Sequence, residues 1–271
     1  MTNRSLILAS IVTLEVLIVA GMVAAIRGGN VAKWLAPPGQ AAISGRNHLV
    51  EGGPHQTFDA GTHPSLNVDI GYADLTIRAG DPGQFDVSLS KGRTLSLGPA
   101  AAITVRQSGE TLNIEKPRGD ILTTGDFRRV TVLVPPGTHV DVAEAGDIQV
   151  YGLHGETSLK SVGSGKIRVE DFDGPALHVE TSNGRILLSR VSTTHIDATA
   201  NNDRFEGSAL QLHDGTIESD GRAVLGFAPG ADTLVSADGS SGNVRKVKIG
   251  AGSGRLDVHA GEGDVAIQQE N

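Results

Sequence analysis

A nineteen-residue phase constrains this chain more than any other feature of its sequence. A glycine, a polar residue and an alternating apolar run recur as Gly146-Asp147-Ile148-Gln149-Val150, Gly165-Lys166-Ile167-Arg168-Val169 and Gly184-Arg185-Ile186-Leu187-Leu188. Asp203-Arg204-Phe205 continues the phase with Asp in place of Gly. Gly221-Arg222-Ala223-Val224 arrives one position early, and Gly242-Asn243-Val244 then arrives two positions late. A second alternating run lies between successive copies. Leu177, Val179 and Thr181 precede Ser182-Asn183-Gly184, and Ile196, Ala198 and Ala200 precede Asn201-Asn202-Asp203. The run around Leu159 is one residue out of phase, which a β-bulge or a longer turn absorbs.

Period-2 alternation gives each run one apolar face, as a β-strand requires. A strand of about five residues cannot cover that face alone, so equivalent strands must stack, about 4.8 Å apart, around a thin core. Ile148, Ile167 and Ile186 are then expected to form one internal ladder. Val150, Val169 and Leu188 form another, with Leu177 and Val179 facing them from the opposite sheet. Gly146, Gly165, Gly184, Gly221 and Gly263 mark the corners, where glycine supplies the positive φ that turns the chain. A β-sandwich places strands at similar spacing but requires no fixed phase. The predicted fold is therefore all-β: a single β-solenoid, β-helix-like or β-roll-like, with about 19 residues per coil.

The last copies are closer together. Gly254-Arg255-Leu256-Asp257-Val258 is followed at half the usual spacing by Gly263-Asp264-Val265-Ala266-Ile267, which reads as a compact final coil. The polar tail Gln268 to Asn271 is suited to cap it, since open strand edges need protection. Composition agrees with narrow layers: glycine is 36 of 271 residues and aromatics only 3%, so buried area must come from small and β-branched side chains.

The N-terminus is different. Ser5 to Ile26 is one long apolar run between Arg4 and Arg27. At about 1.5 Å per residue it spans the ~30 Å hydrocarbon core of a bilayer. Residues 1–27 are thus predicted to be a transmembrane helix, or a signal peptide cleaved near Val23-Ala24-Ala25. Glu15 lies mid-span, where an ionisable group is costly: it is either simply protonated or paired with a polar group on a partner helix. Residues 28–45 read as a juxtamembrane linker, with Trp34 at headgroup level and Pro37-Pro38-Gly39 ending any helix. Residues 46–129 read as hairpins and irregular coils that cap the solenoid, and 130–271 as the regular repeats with a C-terminal cap. The body is expected to be periplasmic or extracellular.

Several chemistries are excluded or weakened. The chain has no cysteine, which removes disulfides, thiolate zinc sites and thiol catalysis. Its net charge of −8, with no Lys/Arg stripe, gives nucleic acid no footprint. His48, His55, Asp59 and His63 share a Gly-rich stretch, but their spacing matches no zinc motif. His178, His195 and His213 recur at close to the repeat spacing and suggest a surface column. Asp173-Gly174, Asp214-Gly215, Asp220-Gly221 and Asp238-Gly239 lack the nonapeptide phase of calcium-binding β-rolls and read as turns. Asp141, Glu144 and Asp147 are the densest acidic group, yet no second cluster aligns with them as a glycan-cleaving pair needs. No Gly-x-Ser-x-Gly, P-loop or dinucleotide fingerprint occurs in strand–helix context. No catalytic, cofactor-binding or metal-ligating residue is assigned, and the chain is expected not to be an enzyme.

Val130-Thr131-Val132-Leu133-Val134-Pro135-Pro136-Gly137, followed by Gly146-Asp147-Ile148 and closing on Gly263-Asp264-Val265-Ala266-Ile267, resembles the bacterial "putative adhesin" domains of unknown function. The resemblance covers most of residues 60–268. It implies a β-solenoid envelope protein with an N-terminal membrane segment, and brings no catalytic residues. Asp203-Arg204-Phe205 departs from the pattern and predicts an irregular fourth coil. The expected role is a non-enzymatic, membrane-tethered scaffold of the cell envelope, adhesion-like, with a protein or glycan partner on the solenoid face. Alternatives are an envelope sensory or regulatory accessory, a self-assembling protein resembling bactofilins and, behind these, a glycan-active enzyme.

Overall fold

A computed structural model of the chain describes residues 47–48, 56–90, 103–116, 129–240 and 245–269. The predicted span Ser5 to Ile26, the linker 28–45, the copy Gly242-Asn243-Val244 and the last residues of the polar tail lie outside the described residues. The described ones form strands and no helix, all hydrogen-bonded into one 19-stranded sheet.

The first half contributes β1 (Asn47–His48), β2 (Gln56–Asp59), β3 (Ser65–Asp69), β4 (Asp74–Ala79), β5 (Gln84–Ser90), β6 (Thr104–Ser108) and β7 (Thr111–Glu115). The middle contributes β8 (Arg129–Val134), β9 (His139–Ala145), β10 (Ile148–Tyr151), β11 (Thr157–Ser161), β12 (Ile167–Thr181), β13 (Ile186–Ala200) and β14 (Phe205–Ser219). The end contributes β15 (Ala223–Phe227), β16 (Thr233–Asp238), β17 (Arg245–Ile249), β18 (Gly254–Ala260) and β19 (Val265–Gln269).

The phase of the sequence is the register of the structure. β12, β13 and β14 run parallel and in step, with Ile167 beside Ile186 beside Phe205 at one end and Thr181 beside Ala200 beside Ser219 at the other. Each is one 15-residue strand rather than two short ones. Each bends at a non-glycine residue in the left-handed region, Asp171 (φ 55°), Arg190 (φ 54°) or Ala209 (φ 51°), and β14 also carries Gly215 at φ 141°. No glycine marks this bend, so the sequence pattern does not show it.

The strands form two stacks. The first runs β2, β5, β8, β4, β10, the leading segments of β12 to β14, β15 and β19. Its pairings are parallel except β2 with β5 and β5 with β8. The second runs β1, β6, β7, β3, β9, β11, the trailing segments of β12 to β14, β18, β16 and β17. It is antiparallel at β1–β6, β6–β7 and β16–β17. Chain order therefore breaks near both ends. β4 lies between β8 and β10, β3 lies between β7 and β9, and β18 lies between β14 and β16. Val235 and Ala237 do not stack directly on the preceding repeat, because Leu256 and Val258 of β18 come between.

The core is a set of in-register ladders. Ile148, Ile167 and Ile186 stack between Leu75 and Phe205, all fully buried. Val150, Val169 and Leu188 stack beneath Ile77. Leu177 and Val179 stack on Ile196 and Ala198, and none is more than 3% exposed. Burying an aliphatic side chain this fully contributes about 1.5–3 kcal/mol. Asp203-Arg204-Phe205 does not disturb the register, contrary to expectation. Phe205 takes the isoleucine position and Gly207 the leucine position, where Leu210 Cδ1 fills the space a Cβ would occupy. The larger Phe205 and the inserted Leu210 thus offset the side chain missing at Gly207. The register shifts one layer later, between Gly207 and Leu210 against β15.

The corner glycines require correction. Gly146, Gly165, Gly184, Gly221 and Gly263 do not adopt positive φ. They are places of close approach. A Cβ on Gly184 would lie 1.8 Å from the Gly165 carbonyl oxygen, one on Gly165 2.4 Å from that of Gly146, and one on Gly146 2.7 Å from that of Tyr72. On Gly221 it would meet the Asp203 oxygen at 2.9 Å, and on Gly263 the Arg222 Cα at 2.7 Å. A ladder of small buried residues lies beside this column: Ala145, Ser161, Thr181, Ala200, Ser219 and Ala260. Ser161 Oγ donates to the Gly146 oxygen (2.8 Å), Thr181 Oγ1 to that of Gly184 (2.5 Å) and Ser219 Oγ to that of Asp203 (2.9 Å). Corner carbonyls are thus satisfied inside the core.

The phase slip at Leu159 has two parts. Thr157 pairs with Leu177, one position beyond the usual phase, and the corner 162–166 is one residue longer than its successor 182–185, with Gly163 at φ 64°. β9 also bulges, since Leu159 faces Val142 while Ser161 faces Ala145.

Candidate functional site

With one side of the central strands committed to the core, chemistry must come from the outward rows, which repeat layer by layer. In the first stack one outward row reads Thr76, Gln149, Arg168, Leu187, Glu206, Val224. The neighbouring row reads Arg78, Tyr151, Glu170, Ser189, Ser208. Small serines beside long side chains leave a groove of about 430 Å³ over Leu187, Ser189, Ser208 and Val224, flanked by Arg168 and Glu206. Its charges are paired: Arg168 Nε with Glu170 Oε1, and Arg204 Nε with Glu206 Oε1 at 2.7 Å. The Arg78 guanidinium lies 4.6 Å from the Tyr151 ring centroid, a cation–π contact.

The second stack has a more acidic outer surface. One row reads Asn67, Asp141, Ser158, His178, Asp197, Thr216, Asp257. His178 and Asp197 are register partners, and Asp197 Oδ2 lies 3.2 Å from His178 Nδ1 and 3.1 Å from His195 Nε2. The two imidazole centroids are 5.8 Å apart. Lys160 Nζ holds Glu180 at 2.9 Å. His178, Asp197, Lys160 and Glu180 line a depression of about 260 Å³ with Asp141 at its margin.

The predicted histidine column is thus present in part. His178 and His195 share Asp197, whereas His213 Nδ1 bonds Asp214 Oδ2 at 2.8 Å, with Asp214 in register with His195. The backbone N–H of Arg255 holds the Asp214 carboxyl below the usual range, helped by His213. His213 borders a third depression, of about 330 Å³, with Thr193, Gln211 and Asp232. The acidic group Asp141, Glu144 and Asp147 does not converge. Asp141 and Glu144 point outward on β9, and Asp147 Oδ1 accepts the Lys166 backbone N–H at 2.9 Å. Among the earlier histidines, His63 donates its backbone N–H to Glu110 at 3.0 Å, and Thr62 also donates to Glu110, whose carboxyl is lowered chiefly by that Thr62 backbone bond. His55 lies outside the described residues. Among the described residues no three His, Asp or Glu side chains form a ligand set for a metal ion, and no helix is long and apolar enough to cross a membrane.

Sequence reasoning did not find Asp197 as the shared partner of two histidines. The repeat phase carries that signal, because His178 plus one repeat is Asp197. The described residues define an all-β body whose stacked, largely parallel strands present long polar rows, grooved where serine and glycine fall beside longer side chains. No family model matches the chain, and no curated protein matches it.

Solved structures similar to it include the following three. One, described as a "putative cell adhesion protein" of Clostridium sporogenes, has 12% identity and a TM-score of 0.39, covering 80% of this chain and 99% of that one. A "putative adhesin" of Bacteroides fragilis has 10% identity and a TM-score of 0.36, covering 80% and 99%. A "putative adhesin" of Parabacteroides distasonis has 13% identity and a TM-score of 0.36, covering 82% and 95%.

Proposed function

We propose that the chain is a β-solenoid held at the membrane by Ser5 to Ile26, with its body in the periplasm or outside the cell, acting there as a non-enzymatic, adhesion-like scaffold. The observation that carries this reading is the parallel, in-step stacking of β12, β13 and β14. It repeats outward side chains about every 4.8 Å along a stack. Such rows suit a partner that is itself extended and periodic, a glycan chain or a protein strand, because many weak contacts add along one line. Engagement of Glu180 by Lys160 and of Asp197 by two histidines is suited to a binding face.

Two measurements test the reading. The chain has no cysteine, so a single Gln149→Cys reports location. Labelling by a maleimide that cannot cross the inner membrane is expected in intact cells or once an outer membrane is permeabilised; labelling only after the inner membrane is broken sinks the extracytoplasmic placement. In vivo cross-linking followed by purification from the membrane should then recover a partner whose yield drops severalfold in His178→Ala/Asp197→Ala. A partner recovered equally well with both residues altered sinks the outer-face assignment.

A further inference from the structure

β17 is the last strand of the second stack, and among the described residues it pairs only with β16. Its other edge therefore offers backbone N–H and C=O groups with no strand beside them. Two kinds of side chain alternate along it. Val247 and Ile249 turn inward; Ile249 is buried, and Val247, packed against the core, is only partly so. Lys246 and Lys248 turn outward and are exposed, as is Arg245 beside them.

These three cations are the exception among the strands. Every other lysine or arginine in a described strand has a partner. Arg106, Arg129, Lys160, Arg168, Arg190 and Arg255 each stand within 4.0 Å of a carboxylate, and Arg78 lies over the Tyr151 ring. Among the described residues Arg245, Lys246 and Lys248 have no such partner, in a chain of net charge −8. Lysine on an edge strand deters a neutral or basic strand from pairing. It does not deter an acidic one, which brings the missing carboxylates with it.

We infer that β17 is a docking edge for an acidic, extended segment of another protein, which adds to the second stack as a further strand. The alternation along β17 sets the chemistry of that segment. Residues i and i+2 of a strand stand about 7 Å apart on one face. Carboxylates on alternate residues therefore meet Lys246 and Lys248, while the aliphatic residues between them cover Val247 and extend the core by one layer. This chain's own runs of that kind are Phe85-Asp86-Val87, Val140-Asp141-Val142 and Leu256-Asp257-Val258. Each already lies between two paired strands, so a second folded copy does not supply one. Lipid headgroups and nucleic acid match the charge but bring no strand to the edge. The inference is independent of what the outer rows bind and of where the body lies.

The full chain in detergent is titrated with two labelled peptides of equal charge, one repeating Glu-Val and one repeating Glu-Pro, in which proline removes the backbone donors. At low salt the Glu-Val peptide is expected to bind at least tenfold more tightly. Lys246→Ala/Lys248→Ala should weaken it severalfold with an unchanged β-sheet circular dichroism spectrum. Lys246→Glu/Lys248→Glu should transfer the preference to a Lys-Val peptide. No binding of the Glu-Val peptide overturns the proposal. Equal binding of both peptides, or of a single-stranded oligonucleotide, also overturns it, because charge alone then accounts for the contact. So does an alanine variant that self-associates yet binds the peptide as the wild type does, which assigns the lysines to edge protection. Should a variant fail to fold, the wild-type comparison of the two peptides still decides.

Discussion

Arg190 stands one repeat beyond Asp171 and grips its carboxylate with both Nε (2.5 Å) and Nη2 (3.0 Å), while each residue holds a left-handed backbone angle at the bend of its strand. The hydrogen bonds from Arg190 hold the Asp171 carboxyl below the usual carboxylate range. A depressed value means this contact is present above the unfolded carboxylate value and is lost as pH falls through the folded one. Carboxyl-resolved NMR titration should show Asp171 titrating below its ordinary range in the wild type and returning to that range in Arg190→Ala. An unchanged titration would mean the pair does not persist in solution.

The third bend falls at Ala209, with a φ of 51°. A non-glycine residue in the left-handed region costs about 1–2 kcal/mol, and part of that is recovered by glycine despite its looser unfolded state. Ala209→Gly is therefore expected to stabilise by about 0.5–1 kcal/mol in urea unfolding. Loss of stability would place the strain elsewhere.

Gly184→Ala and Gly83→Ala separate the two uses of glycine. The Gly184 Cβ would sit 1.8 Å from a backbone oxygen, which only movement of a whole repeat relieves, so a loss of about 3 kcal/mol or more is expected. Gly83 has open space but a φ of 83°, so alanine there should cost only about 1 kcal/mol. Equal losses would contradict the close-approach reading.

Ile167 lies fully buried between Ile148 and Ile186. Ile167→Val should cost about 1 kcal/mol. Ile167→Asp, which places an unpaired carboxylate among apolar ladders, should abolish cooperative unfolding. A cooperative transition near the wild-type midpoint would show that this position does not face the core.

Burial raises the Asp74 carboxyl above its ordinary value, with the nearby Asp147 charge adding to it and Arg129 at 3.6 Å opposing. The folded state therefore holds this proton more tightly than the unfolded chain. Ionised Asp74 weakens the fold at neutral pH, and the penalty fades as pH falls through the raised value. Asp74→Asn should raise the melting temperature at pH 7, with the gain vanishing below about pH 4. A gain that persists in acid would point to a cause other than charge.

Much of this architecture is written locally. Alternation at Ile148/Val150, Ile167/Val169 and Ile186/Leu188 marks an inward side because a strand's period is two, and the spacing from Ile167 to Ile186 is the offset between β12 and β13. The outer site is less legible. His178 and His195 stand out by residue type, but their shared Asp197 becomes visible only when one repeat is laid on the next. The glycine column is plain in the sequence and its role is not, because a glycine that turns the chain and one that lets backbones touch look alike there.

Alternation within a few residues was enough to mark the repeats as strands and to say which of their side chains can share a core. The sequence also removed thiol chemistry by having no cysteine. That β3 and β4 enter the stacks beside β9 and β10, that β18 slips between β14 and β16, and that Asp171, Arg190 and Ala209 make the bends is visible in the folded molecule alone. These depend on pairings between residues far apart in the chain. A strand's own pattern says that it needs a neighbour, and packing of the whole core selects which one it takes.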